Sequence, residues 1–208
     1  MSDRNDTKIR SLAKDTGLFA ISSFGSKLLI FFLTPLYTSV LTTAQYGVVD
    51  IINTTINFVY PILTLSIAEA VLRFTMDKTV SSKDVLGNAI IITIISVLLF
   101  FSIKPLLGKV DKSLNSNWHF CLAIYCLTVI HLSISSYIKG IGKTTLFALS
   151  GIIQTIVVII TNILLLIVFR LNIEGYLWSI ILGSFSGKQY ITFIKLSPIT
   201  FLFLLNDY

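Results

Sequence analysis

The chain has 208 residues, 54% of them hydrophobic and only 12% charged, with a formal net charge of +6. A soluble domain carries about 25% charged residues and has no single core able to hide this much apolar surface, so the composition excludes an ordinary soluble globule. The basic residues sit mainly between apolar runs, where they set membrane topology, and no basic stripe with interleaved aromatics points to nucleic acid.

Residues 1–16 are polar and include Arg4, Lys8, Arg10 and Lys14. A cleaved signal would continue into a short apolar stretch with a small-residue cleavage site. A full-length apolar run follows instead, which predicts a cytoplasmic tail and an uncleaved first helix. A spanning helix needs roughly 20 mostly apolar residues, and six stretches qualify: Gly17–Leu41, Tyr46–Leu72, Val85–Leu107, Trp118–Ile138, Thr145–Phe169, and a sixth that begins near Gly175 and is ill-defined beyond Gly187. Lipid requires every backbone polar group to be paired within a helix or a closed barrel. These runs are too long and too uniformly apolar for barrel strands. The expected fold is therefore all-α, a polytopic transmembrane bundle of about six helices over residues 17–183.

Loop charges give an orientation. With the N-terminus inside, the tail, the 73–84 loop (Arg73, Lys78, Lys83) and the loop around Gly140 (Lys139, Lys143) hold nine basic residues, against four outside (Lys104, Lys109, Lys112, Arg170). Pro35 and Pro61 fall within the first and second helices, where each removes a backbone donor and favours a kink.

The second run is the most informative. Asp50, Asn53, Asn57, Tyr60 and Thr64 recur at i, i+3, i+7, i+10 and i+14, an arc of roughly 80° on a helix. Polar groups in a spanning helix avoid lipid, so this face looks either onto a polar interior or onto hydrogen-bond partners on other helices. Weaker stripes occur at Ser23, Lys27, Thr34 and Thr38, at Tyr125, Thr128, His131 and Ser135, and at Ser150, Gln154 and Thr161. Lys27 is either a functional cation or a side chain that snorkels to the headgroups. The candidate cavity-lining residues are thus Lys27, Asp50, Asn53, Asn57, Tyr60, Thr64 and Gln154.

No catalytic constellation is present. Gly140 to Thr144 has the end of a phosphate-binding loop, but the required earlier glycine is Tyr137 and no strand precedes it. Cys121 and Cys126 have no metal or disulfide spacing. The chain is expected to be neither an enzyme nor a holder of a metal or cofactor.

Three stretches carry a resemblance: Gly25 to Leu41 followed by Gln45-Tyr46-Gly47; Ala68 to Phe74; and Lys139 to Thr144 with Asn172 to Tyr176. Together, and in this order, they resemble the N-terminal half of the bacterial polysaccharide flippases, the O-antigen and capsule repeat-unit transporters of the multidrug/oligosaccharidyl-lipid/polysaccharide exporter superfamily. The resemblance implies one half of a two-bundle exporter in the bacterial inner membrane. Its substrate would be an oligosaccharide on undecaprenyl pyrophosphate, moved from the inner to the outer leaflet. Polysaccharide polymerase and glycosyltransferase would be its partners, and Lys27 a cation for the pyrophosphate. Residues 184–208 depart from the family, which is expected of a truncated or frameshifted product. The competing expectation is a non-transporting scaffold in a glycan-synthesis complex.

Overall fold

The computed structural model describes residues 17, 31, 33–77 and 81–196. These are helical apart from short turns between the helices, with no strand among them. Helix α1 is described over 33–40 and turns at Leu41 into α2, Thr43–Thr64. Thr42 opens α2 with a reciprocal cap: the Gln45 amide donates to Thr42 Oγ1 at 3.3 Å, and the Thr42 amide donates to Gln45 Oε1 at 3.0 Å. Two of the amides that a helix start leaves without partners are thereby paired.

Helix α3, Ile67–Met76, continues α2 after a break at Leu65 and Ser66. Helix α4, Ser82–Ser102, passes through Ile103 into the short α5, Lys104–Val110, and α6, Lys112–Ser116. Pro105 lies in the first turn of α5, where its missing donor costs nothing. The Asp111 carboxylate caps α6 by accepting from the Ser113 amide at 2.6 Å. The Ser113 hydroxyl, and then this amide bond, hold the carboxyl below its usual range. Helix α7, Trp118–Gly140, and α8, Thr144–Asn162, are joined through Gly142, whose φ of +77° suits glycine. The end of α8 widens into a π-helical stretch, Ile163–Val168, before α9, Asn172–Leu196.

Three helices are long and apolar enough to cross a membrane: Asp84–Lys109, Trp118–Gly140 and Thr144–Val168. The pair α2–α3, bent by 53°, makes a fourth if it is one span. The described residues thus support an all-α, multi-pass membrane bundle with three or four spans, short of the six expected. The first expected span lies largely outside the described residues. The sixth is a continuous helix through Lys188 and Lys195, but its polar and charged residues keep it out of the apolar set.

Helix α7 is the hub, packed against α2, α3, α4, α8 and α9. Around it Phe100 lies between two rings, stacked on Tyr125 at 4.0 Å and on Trp118 at 5.1 Å. Lipid is as apolar as the helices, so burial alone does not drive their association; close fit and small residues do. Two glycines mark such seams. A Cβ on Gly140 of α7 would meet the Thr75 Cβ of α3 at 2.6 Å, and one on Gly183 of α9 would run into Val158 Cγ2 of α8. By contrast α4 presents Ile90, Ile91, Ile94, Ile95 and Leu98 outward, a surface suited to lipid.

Candidate functional site

The site is built around the break between α2 and α3. The chain runs α2–α3 parallel to α7. Ile52 and Ile56 pack with Trp118 and Tyr125 near one end, Tyr137 joins Ile67 and Val71, and Thr75 meets Gly140 at the other end. Leu65 and Ser66 therefore lie level with the middle of α7, a helix about 34 Å long. Helix α7 is long and apolar enough to cross a membrane, and a bilayer that it crosses would have its midplane near that level.

The backbone there is not helical in the ordinary sense. Leu65 (φ 50°, ψ 39°) and Ser66 (φ 53°, ψ 42°) are both left-handed, and neither is glycine. Each such residue costs about 1–2 kcal/mol. Pro61 weakens the preceding turn by withholding an amide. The Ser66 amide closes the end of α2 by donating to the Pro61 carbonyl at 3.0 Å, while α3 begins without a side-chain cap.

Leu65 is 84% exposed, so replacing it tests the backbone with little loss of packing. Leu65→Gly is expected to raise stability by about 0.5–1 kcal/mol, and the β-branched Leu65→Val to lower it by at least as much. Unfolding of the purified variants in mixed micelles measures both. The order Val above Leu above Gly would refute the left-handed break.

The five polar residues of α2 separate around this break. Asp50 and Asn57 are exposed, and with exposed Thr54 they form an open polar strip on the half of α2 away from α7. Asp50 sits toward the Trp118 end, outside the midplane. Asn53 is turned inward, its amide donating to the Tyr176 hydroxyl of α9 at 3.4 Å. Tyr176 in turn meets the Tyr37 ring edge-on at 4.8 Å. Tyr60 is half-buried, and its hydroxyl faces Thr64, Tyr125 and the start of α3 without attaining hydrogen-bond geometry. Thr64 is fully buried, its hydroxyl donating to the Tyr60 carbonyl at 2.8 Å.

The 80° arc thus straddles the boundary between the packed and open faces of α2. The bend sets Thr64 on the packed side although it shares the arc with Asn57. Gln154 belongs to the α8–α9 seam, where its carbonyl lies beside Gly183. On the same helix Ser150 and Thr161 donate to carbonyls of the preceding turn, at 2.7 and 2.6 Å, which is the local alternative to an interhelical bond. Lys27 lies outside the described residues. No cluster of metal-ligating side chains occurs among those described, and neither Cys121 nor Cys126 is part of a disulfide.

Three features of this region were not foreseen from sequence. Tyr176 comes from α9, more than a hundred residues along the chain, and no spacing rule connects it with Asn53. Tyr125 shares a sequence stripe with His131 and Ser135, whereas its ring stacks on Phe100 and its buried hydroxyl faces Ser96. His131 does share a contact with Ser135, 3.4 Å from Nε2 to the hydroxyl. The break itself has no glycine or asparagine to announce it.

Compared with protein-family profiles, with curated proteins and with solved structures, the chain matches none.

Proposed function

We propose that the chain is a flippase-type transporter component that moves undecaprenyl-pyrophosphate-linked oligosaccharide from the inner to the outer leaflet of a bacterial inner membrane. The observation that carries transport is the broken span at mid-depth. Non-helical backbone at that level is tolerated where it is enclosed by protein or lines a water-filled path, and interrupted helices form the midplane sites of many transporters. The exposed strip Asp50, Thr54 and Asn57 supports the same reading, since such groups avoid lipid. The substrate class rests on the resemblance of Gly25 to Leu41 with Gln45 to Gly47, of Ala68 to Phe74, and of Lys139 to Thr144 with Asn172 to Tyr176. In this reading the N-terminus is cytoplasmic, as the loop charges favour, and Lys27 draws the pyrophosphate into the cavity.

The second reading, a scaffold for polysaccharide polymerase and glycosyltransferase, is favoured by the same open strip if a partner helix covers it. One assay separates the two: translocation of a fluorescent lipid-linked oligosaccharide in proteoliposomes containing the chain. Transport is expected, and Asn57→Leu is expected to slow it by about tenfold, the equivalent of one good hydrogen bond. No translocation above protein-free vesicles would sink the transporter reading and leave the scaffold.

A further inference from the structure

Helix α2 carries a second series on its outward side. Gly47, Asp50, Thr54, Asn57 and Pro61 recur at i, i+3, i+7, i+10 and i+14, again within about 80° on a helix. Alternating steps of three and four residues are the spacing of a seam between two paired helices. Asp50, Thr54 and Asn57 are exposed, and Gly47 and Pro61 are half-buried.

Two positions on this seam have no use within the chain itself. A Cβ on Gly47 would find no atom within 4 Å. Glycine inside a helix is less stable than alanine, and here its missing side chain relieves no crowding. A second helix lying close along the seam gives it a purpose, because glycine lets two backbones approach. The other position is Asn57. It stands eight residues before Leu65, about 12 Å along α2 from the break. Half of a hydrocarbon layer is about 15 Å, so the Asn57 amide lies at hydrocarbon depth. It makes no hydrogen bond among the described residues, and an unpaired amide is costly there. Asp50, about 22 Å from the break, lies beyond the hydrocarbon and is solvated by water.

The chemistry of the seam selects its partner. Two copies inserted with the same orientation are related by an axis along the membrane normal. A two-fold axis sets each residue beside it against its own counterpart, here at the same depth. Asparagine is its own complement in that position, since its amide carries two donors and an acceptor oxygen. The threonine hydroxyl is likewise donor and acceptor. A lipid chain offers Asn57 nothing.

We infer that this face of α2 is a homodimer seam, with Gly47, Thr54 and Asn57 of one copy against the same residues of a second, and the two Asn57 amides paired across the axis. The two Asp50 carboxylates oppose the pairing weakly, at a depth where water and salt screen them. The inference rests on the membrane placement of α2–α3 and holds under either reading of function. Under transport the seam is where a path opens between copies. Under the scaffold reading the second copy is the covering helix.

The test uses the full chain, fluorescently labelled and reconstituted in liposomes over a range of protein-to-lipid ratios. Photobleaching steps count the copies per complex. Dimers are expected, with Asn57→Leu weakening association about tenfold. Gly47→Leu should weaken it further by blocking close approach, and Asp50→Asn should strengthen it. Asn57 is exposed, so its replacement leaves the fold of the single chain intact. Thr54→Cys should form a disulfide-linked dimer under mild oxidation at least tenfold faster than Phe101→Cys, a lipid-facing control on α4, with the unsubstituted chain as background for Cys121 and Cys126. Single bleaching steps at every ratio, dimers unaffected by both Asn57→Leu and Gly47→Leu, or equal cross-linking at Thr54→Cys and Phe101→Cys would each overturn the seam. None of these readouts depends on translocation, so a failure of the transporter reading leaves them standing.

Discussion

Gly140→Ala is expected to destabilise the bundle by about 2 kcal/mol, whereas Gly87→Ala, the same change one helix away, is expected to stabilise it by about 0.5–1 kcal/mol. Alanine in a helix is ordinarily better than glycine by that smaller amount. At Gly87 a new Cβ finds no atom within 4 Å, so the helix gain stands. At Gly140 the new carbon would come to 2.6 Å from the Thr75 Cβ and 3.3 Å from the Leu72 carbonyl. A β-carbon cannot swing aside as a side-chain tip can, so α3 and α7 must separate, with the cost of overpacking. Thr75→Gly in the Gly140→Ala background returns the missing space and should recover a large part of the loss. A double-mutant cycle in reversible detergent unfolding reads the coupling. Additive single effects would mean that the two helices do not meet there.

Phe100→Ala should cost about 3 kcal/mol, and Phe101→Ala close to nothing. The two rings are neighbours in sequence and lie about 100° apart around α4. Phe100 is fully buried between Trp118 and Tyr125, and Phe101 is 59% exposed toward lipid. In water both losses would include transfer of an aromatic ring. In a bilayer the transfer contribution nearly vanishes, because the alternative environment is hydrocarbon. What remains at Phe100 is the cavity and the loss of two ring contacts. The same unfolding assay checks the pair. Equal costs for the two substitutions would show that ring stacking does not hold α4 to α7.

Some elements were legible in the sequence because they depend on runs of apolar residues. The expected Trp118–Ile138 helix is α7 with two more residues, and Thr145–Phe169 corresponds to α8 and its π-helical continuation. The second expected run, Tyr46–Leu72, held both parts of α2–α3 but not the break. Pro61 suggested a kink at its own position, whereas the chain turns four residues later at Leu65, where the helix end is closed by the Ser66 amide on the Pro61 carbonyl. Left-handed backbone at leucine and serine is imposed by packing on both sides of the joint, and local propensity argues against it. The third run divides at Ile103, just before Pro105, whose ring suits a helix start. The candidate site was legible to the level of a face and no further. Periodicity put Asp50, Asn53, Asn57, Tyr60 and Thr64 on one arc, but which of them faces a partner depends on Tyr176 and on the bend, neither of which is local in sequence.

The looseness of α4 has a consequence for bilayer thickness. Its apolar unit, Asp84–Lys109, has 26 residues against 23 in α7, about 39 Å against 34 Å. Only 11% of its most apolar stretch is buried, compared with 50% in α7. Both lengths exceed a hydrocarbon layer of about 30 Å, so both helices satisfy hydrophobic matching by tilting. The tilt of α7 is fixed by its many neighbours. That of α4 is held mainly by the Phe100 stack near one end and the Val85–Ala89 contact near the other. A thinner or thicker membrane is therefore accommodated by a change in the tilt of α4 more readily than by one in α7.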